Sequence, residues 1–331
     1  MEENKTNINE IDGQITEDIG VQLPRNKNAK DWVIAAILGF FIGIAVIIPG
    51  LSGGTIAILF KLYDKIISAI SNLFKSFAIC FLFLLPILIG AIIGFILGFF
   101  AIQQLIDIAL LECTALFTGL MLGSVPSLKN EIKIEKFKVK YVFLIILGIV
   151  LPIILSSLSI FLGDHSTSET QITDFPYYLY LLMIPVGMFM GLSQVVPGVS
   201  ATAFLMAIGY YSKFINTVHL SYWEQYPQIF AIYSILVVFF LLGMFITSKF
   251  LNYFLVKYKT ETYLLLLGFL FGSLICMFYN SEMFSLYSHL YDGSIPNWQL
   301  HVGLAIPIFI LGVSLSYLLV KINTKNASTV K

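Results

Sequence analysis

The sequence predicts an all-α polytopic membrane protein made of two inverted repeats, each a Pro-Gly-broken re-entrant helical hairpin followed by three transmembrane helices. Three observations predict it. The 331-residue chain is 58% hydrophobic and 11% charged, with a mean hydropathy of +0.89, well outside the composition of soluble domains. The segment IIPGLSGGT, ending at Thr55, returns about 148 residues later as VVPGVSATA. Lysines gather in alternate linkers, and this charge pattern gives each half an odd number of crossings.

Residues 1 to 30 are polar, lack an apolar h-region, and read as a disordered cytosolic tail. The first repeat is placed at 31 to 163. It opens with the stretch 32 to 70, which Pro49-Gly50 interrupts. A spanning helix needs about 20 apolar residues, and a break there leaves two pieces short for spanning. They are expected to enter and leave on one side, with the opened backbone packed in protein or lining a wet cavity. Three crossings follow at 77 to 101, 110 to 127 and 141 to 162. The linker 128 to 140 carries Lys129, Lys133, Lys136, Lys138 and Lys140 and is therefore cytoplasmic, whereas 163 to 177 has no Lys or Arg and lies outside.

The second repeat, 178 to 321, follows the same plan: a stretch at 178 to 218 broken at Pro197-Gly198, then crossings at 229 to 249, 262 to 279 and 301 to 320. Its linker 250 to 261 holds Lys257 and Lys259 and is placed inside. Linker 280 to 300 lacks Lys and Arg and is placed outside. Residues 322 to 331 form a cytosolic tail, so both termini are cytoplasmic. One hairpin plus three crossings per half turns the second half upside down relative to the first. The correspondence is extensive. Gly39, Gly43, Pro49, Gly50 and Ser52 fall on Gly187, Gly191, Pro197, Gly198 and Ser200, and Tyr63 and Lys65 fall on Tyr211 and Lys213. At a spacing of 149, Gly94, Gly119, Gly123 and Ser124 fall on Gly243, Gly268, Gly272 and Ser273.

Repeated interruptions at matching places are where transporters build binding sites. A Pro-Gly break frees backbone N–H groups. The following Ser52, Gly53, Gly54 and Thr55 offer an N-cap hydroxyl and two residues that let a ligand approach the backbone, at a helix end whose dipole favours anions. In the second copy Ser200, Ala201, Thr202 and Ala203 keep a hydroxyl and small residues but lose both glycines. The plain alternative for one such break is a packing kink. Lys61 and Lys65 are expected toward the cytoplasmic face and Lys213 toward the outer face, as receivers of an anionic headgroup or as snorkelling helix-end residues. Glu112 and Glu261, aligned at the 149 spacing, are candidates for proton relay or for interfacial caps.

Composition and motifs also exclude function classes. A net charge of zero provides no footprint for nucleic acid. No GxxxxGK[ST] loop is present, and His165, His219, His289 and His301 are too dispersed for a metal or nucleophile constellation. No cofactor, metal or catalytic residue is expected, and the chain is read as a transporter and not an enzyme. Cys80, Cys113 and Cys276 are read as small packing residues.

At PGLSGGT (49 to 55) with LYDKII (62 to 67), PGVSATAF (197 to 204) with YYSKFI (210 to 215), and GLMLGSVP (119 to 126), the chain resembles the PopT-type polyprenyl-phosphate transporter family, formerly a bacterial domain of unknown function. The resemblance covers about residues 31 to 320. It implies recycling of undecaprenyl phosphate from the outer to the inner leaflet of the bacterial cell membrane, with polyprenyl-phosphate and membrane lipids as the partners. The departure at Ala201 and Thr202 from a glycine-rich PGxSGGT pattern sets the second break apart from the first. Carrying one negative charge inward opposes an inside-negative potential by about 2.3 kcal/mol per 100 mV, so net recycling needs either a steep carrier gradient or accompanying cations, most simply protons, for which Glu112 and Glu261 are the candidate carriers. A secondary transporter of a small organic or inorganic anion would use the same half-helix sites.

Overall fold

The computed structural model describes residues 29–47, 53–129, 131–134, 138–161, 172–197, 199–291 and 298–329. Every regular element among them is helical. A backbone in lipid must satisfy its polar groups internally, and a helix does this with nothing but its own residues.

The first half holds α1 (Ala29–Ile47), α2 (Gly53–Leu59), α3 (Tyr63–Ser71), α4 (Phe77–Lys129) and α5 (Val139–Phe161). The second holds α6 (Tyr177–Val195), α7 (Ala201–Ala207), α8 (Tyr211–Ile215), α9 (Leu220–Gln225), α10 (Ile229–Lys257), α11 (Lys259–Cys276), α12 (Ser281–Tyr291) and α13 (Trp298–Thr329). Helix α4 bends at Ala109 (φ −141°, ψ 44°) into two arms. The same non-helical backbone recurs 149 residues on at Tyr258 (φ −132°, ψ 52°), between α10 and α11. Eight segments among the described residues are long and apolar enough to cross a membrane, and the chain is a multi-pass membrane protein.

Close approach between helices repeats as faithfully as the sequence does. Gly43 of α1 lies where a β-carbon would strike the Ala91 carbonyl of α4, and its counterpart Gly191 of α6 faces the Phe240 carbonyl of α10 in the same way. In return Gly94 faces Phe40 and Gly243 faces Met188. Without a hydrophobic gain between helices in lipid, such small residues let backbones reach van der Waals contact. The last helix of each half docks on the other half. Gly148 of α5 meets the Leu265 carbonyl of α11, while Gly312 of α13 meets the Leu116 carbonyl of the second α4 arm. The exchange is reciprocal, so the halves are interlocked, and a shared core joins Ala57, Ile67 and Leu128 to Val195, Leu266 and Leu270.

One expectation is corrected, and two features are added. The stretches before each break are not short. α1 and α6 have 19 residues each, about 28 Å at 1.5 Å per residue, and only the returning helices α2 and α7, with 7 residues each, are too short to cross. The linker 280 to 300 contains a helix, α12, whose amphipathic sequence lacks the apolar length of a span. It accounts for a rise in the offset between halves from 149 residues to 164, the spacing of Gly148 and Gly312. Finally, α13 continues as helix to Thr329, while its apolar span ends at Leu318.

Candidate functional site

The second break forms first from local chemistry. Pro197 has no N–H to continue α6, and Val196 turns extended (φ −84°, ψ 113°). Ser200 is extended as well (φ −98°, ψ 120°) and restarts the helix as the N-cap of α7: its Oγ accepts the Ala203 N–H at 3.2 Å and lies 2.8 Å from Thr202 Oγ1. That is the usual way to satisfy an orphan helix-start donor. Of the first break, Gly53, Gly54 and Thr55 are seen at the start of α2. Pro49, Gly50 and Ser52, like Gly198 of the second, lie outside the described residues.

Tertiary packing brings the two breaks together. The Gly53 N–H donates to Gln194 Oε1 at 3.3 Å. A β-carbon on Gly54 would lie 2.9 Å from the Val195 carbonyl oxygen and 3.4 Å from the Pro197 nitrogen. The Tyr63 hydroxyl, at the start of α3, donates to that same Val195 carbonyl at 3.0 Å. Gly54 therefore packs on the backbone of the other half and Gly53 on the side chains of Ile42 and Gln194, and the amide oxygen of Gln194 accepts one of the N–H donors expected to face an anion. Thr55 is buried at this junction.

The ends of the returning helices match too. Leu62 N–H bonds the Ala57 carbonyl and Tyr210 N–H the Leu205 carbonyl, both at 2.9 Å, closing each helix in a Schellman-type turn. The residue that must go left-handed is Gly209 (φ 71°) in one copy and Lys61 (φ 55°) in the other. Lys65 follows Asp64, whose carboxylate accepts the Tyr263 hydroxyl at 2.6 Å and 2.5 Å, tying α3 to α11. Close by in sequence, Lys259 pairs with Glu131 at 2.7 Å. Lys213 stands 5.1 Å above the Tyr210 ring.

The aligned acids sit in different surroundings. Glu261 is held by Lys140 at 2.7 Å in a largely exposed pair. The Glu112 side chain is only 10% exposed, with Oε1 2.6 Å from His301 Nδ1 and Oε2 buried without a hydrogen-bond partner among the described residues. In both cases an acid at the start of an arm meets a base at the start of the other half's last helix. No partner for His301 was legible in the sequence, because 189 residues separate the two. Gln194 and Tyr263 were also missed. Their aligned positions hold Val46 and Thr114, so a search for repeated residues passes over them. The one available signal was an isolated amide in the apolar run before Pro197.

Residues 42–291 match the family described as undecaprenyl phosphate translocase-like. The chain is 30% identical over 253 residues to a polyprenyl-phosphate transporter of Staphylococcus aureus, covering 74% of this chain and 86% of that relative. No solved structure matches.

Proposed function

The chain belongs to the undecaprenyl phosphate translocase-like family, and from that premise we propose that it carries a polyprenyl phosphate, undecaprenyl phosphate, from the outer to the inner leaflet of the bacterial cytoplasmic membrane. The meeting of both Pro-Gly breaks at Gly53, Gly54, Gln194 and Val195 carries the proposal. Interrupted helices of two repeats that meet inside a bundle are the arrangement from which secondary transporters make a binding site. In this reading the repeats are oppositely oriented and both termini are cytoplasmic. The headgroup contacts the hydroxyls of Ser200 and Thr202 and the N–H groups at the start of α2, which Gln194 releases when the phosphate arrives. Lys61 and Lys65 serve one mouth of the path and Lys213 the other. The tail stays in contact with lipid, so no sealed pore is needed.

Alternating access is assigned to movement of one repeat against the other, with the reciprocal docking of α5 and α13 as the contact through which the halves move together. Coupling to protons is assigned to Glu112 with His301, which lie 2.6 Å apart with the Glu112 side chain only 10% exposed. Glu261, already neutralised by Lys140 at the surface, is assigned an anchoring role instead.

Leaflet-resolved undecaprenyl phosphate in a strain depleted of the protein tests the function. The carrier is expected to accumulate in the outer leaflet and to redistribute when the protein returns. An unchanged distribution, with loss of uptake of a small anion, would replace this function by anion transport.

A further inference from the structure

A cavity of about 890 Å³ lies between α5, α6, α10 and α11. That size is typical of small-molecule sites, which are mostly apolar with a few placed polar groups. Its wall is formed by Leu155, Phe189, Leu192, Phe250, Phe254 and Leu265, with polar atoms contributed only by Thr247, Tyr258, Glu261 and Thr262. Two features give it a direction. On one side Phe250, Ile154 and Leu158 are exposed, so it opens sideways where a bilayer would lie. On another side its wall is Val196 and Val199, the residues that flank Pro197 and run into Ser200. The cavity therefore joins the lipid-facing surface to the second break. Phe250 and Phe254 of α10 and Tyr258 just beyond its end follow one another at i, i+4, i+8, with neighbouring ring centres 4.7 Å and 6.2 Å apart, and all three line the cavity.

We propose that this cavity is the site for the isoprenoid segment next to the phosphate of the transported lipid, held while the headgroup sits at the Pro197–Ser200 turn. The proposal rests on the polyprenyl-phosphate reading and specifies where the tail goes. Bilayer chains are as apolar as the cavity wall, so entry gains no hydrophobic free energy over the membrane. What the cavity supplies is shape. Flat, methyl-branched alkene units fit against aromatic rings, and only the units nearest the headgroup are needed to place it. The site therefore discriminates by the first units of the tail and is indifferent to its full length. A phospholipid, with two acyl chains on a glycerol, has the charge without the shape.

The test uses the full-length protein in proteoliposomes with a decaprenyl phosphate carrying a diazirine in the unit nearest the phosphate. Illumination is expected to label the α5 segment 144–158 and the α10 segment 246–254. Excess unlabelled polyprenyl phosphate of short or long chain should suppress that labelling at least tenfold, and phosphatidylglycerol should not. Filling the cavity by Leu155→Trp with Leu251→Trp should reduce labelling and transport together. Because the parent protein is labelled without any substitution, misfolding of the filled variant leaves the proposal testable. Labelling suppressed equally by phosphatidylglycerol shows an ordinary acyl-chain pit and overturns the proposal. Lipid movement with labelling elsewhere overturns it too and leaves the transport function intact. Absence of both lipid movement and competed labelling removes the transport function, and the tail site with it.

Discussion

Lys61 occupies a left-handed position that its counterpart fills with Gly209, and an L-residue there is disfavoured by about 1 kcal/mol. Retaining lysine at that point makes sense if its cation serves the path. Lys61→Gly is therefore expected to raise the thermal midpoint of the detergent-solubilised protein while lowering polyprenyl-phosphate transport. Gain of stability with full transport would reduce Lys61 to a helix terminator. Gly54 is constrained differently. A methyl group there meets backbone atoms at 2.9 Å and 3.2 Å, which cannot yield as a side chain does. Gly54→Ala should destabilise the protein by about 1–3 kcal/mol, the usual range for overpacking. At Gly53 the nearest atom is the side-chain Cγ2 of Ile42, so Gly53→Ala should be milder, and denaturation of the two variants side by side checks the order.

Between elements, the links that cross from one half to the other differ in strength. Tyr263 is buried and donates to both oxygens of Asp64, so Tyr263→Phe leaves the carboxylate without its donor, at a cost of about 1–3 kcal/mol. Proteolysis of the α2–α3 region should quicken accordingly. The Glu261–Lys140 pair is exposed, and pairs of that kind contribute little to stability. Glu112 and His301 are the contrasting case. Glu112→Gln or His301→Gln should remove the response of lipid uptake to an imposed pH gradient, whereas Glu261→Gln should leave that response as in the parent. Loss of the response in the Glu261 variant alone would transfer the coupling to the other pair.

For the molecule as a whole, labelling can test the proposed opposite orientation of the halves. Single cysteines at Ser71 and Ser221, introduced after removal of Cys80, Cys113 and Cys276, are expected to react with an impermeant maleimide from opposite sides of the membrane. Reaction of both from one side would end the inverted arrangement. Reciprocal docking of α5 on α11 and of α13 on α4 adds a second expectation. The halves expressed as separate chains should be stable only together, since each would expose a glycine-lined face built for the other.

Helical class, the duplication and the places where each half breaks were legible in the sequence by itself, whereas the six apolar spans counted there rise to eight because α1 and α6 are also long enough to cross. Each depends on local physics: apolar length for a span, a missing N–H at Pro197, a hydroxyl at Ser200 able to cap. Where the repeat was strict, as at Gly43 and Gly191, even the packing partners could be matched by register. The sequence misjudged lengths near the breaks, because apolarity does not show that α1 and α6 stay helical for a full crossing while α2 and α7 stop after two turns. Only the tertiary structure decided what the breaks face. Gln194 reaches Gly53 across 141 residues, and His301 reaches Glu112 across 189. Neither pair repeats. A distant contact leaves no local pattern, and duplication reveals only what both copies kept, so the residues that make the halves different are the ones that folding alone brings to light.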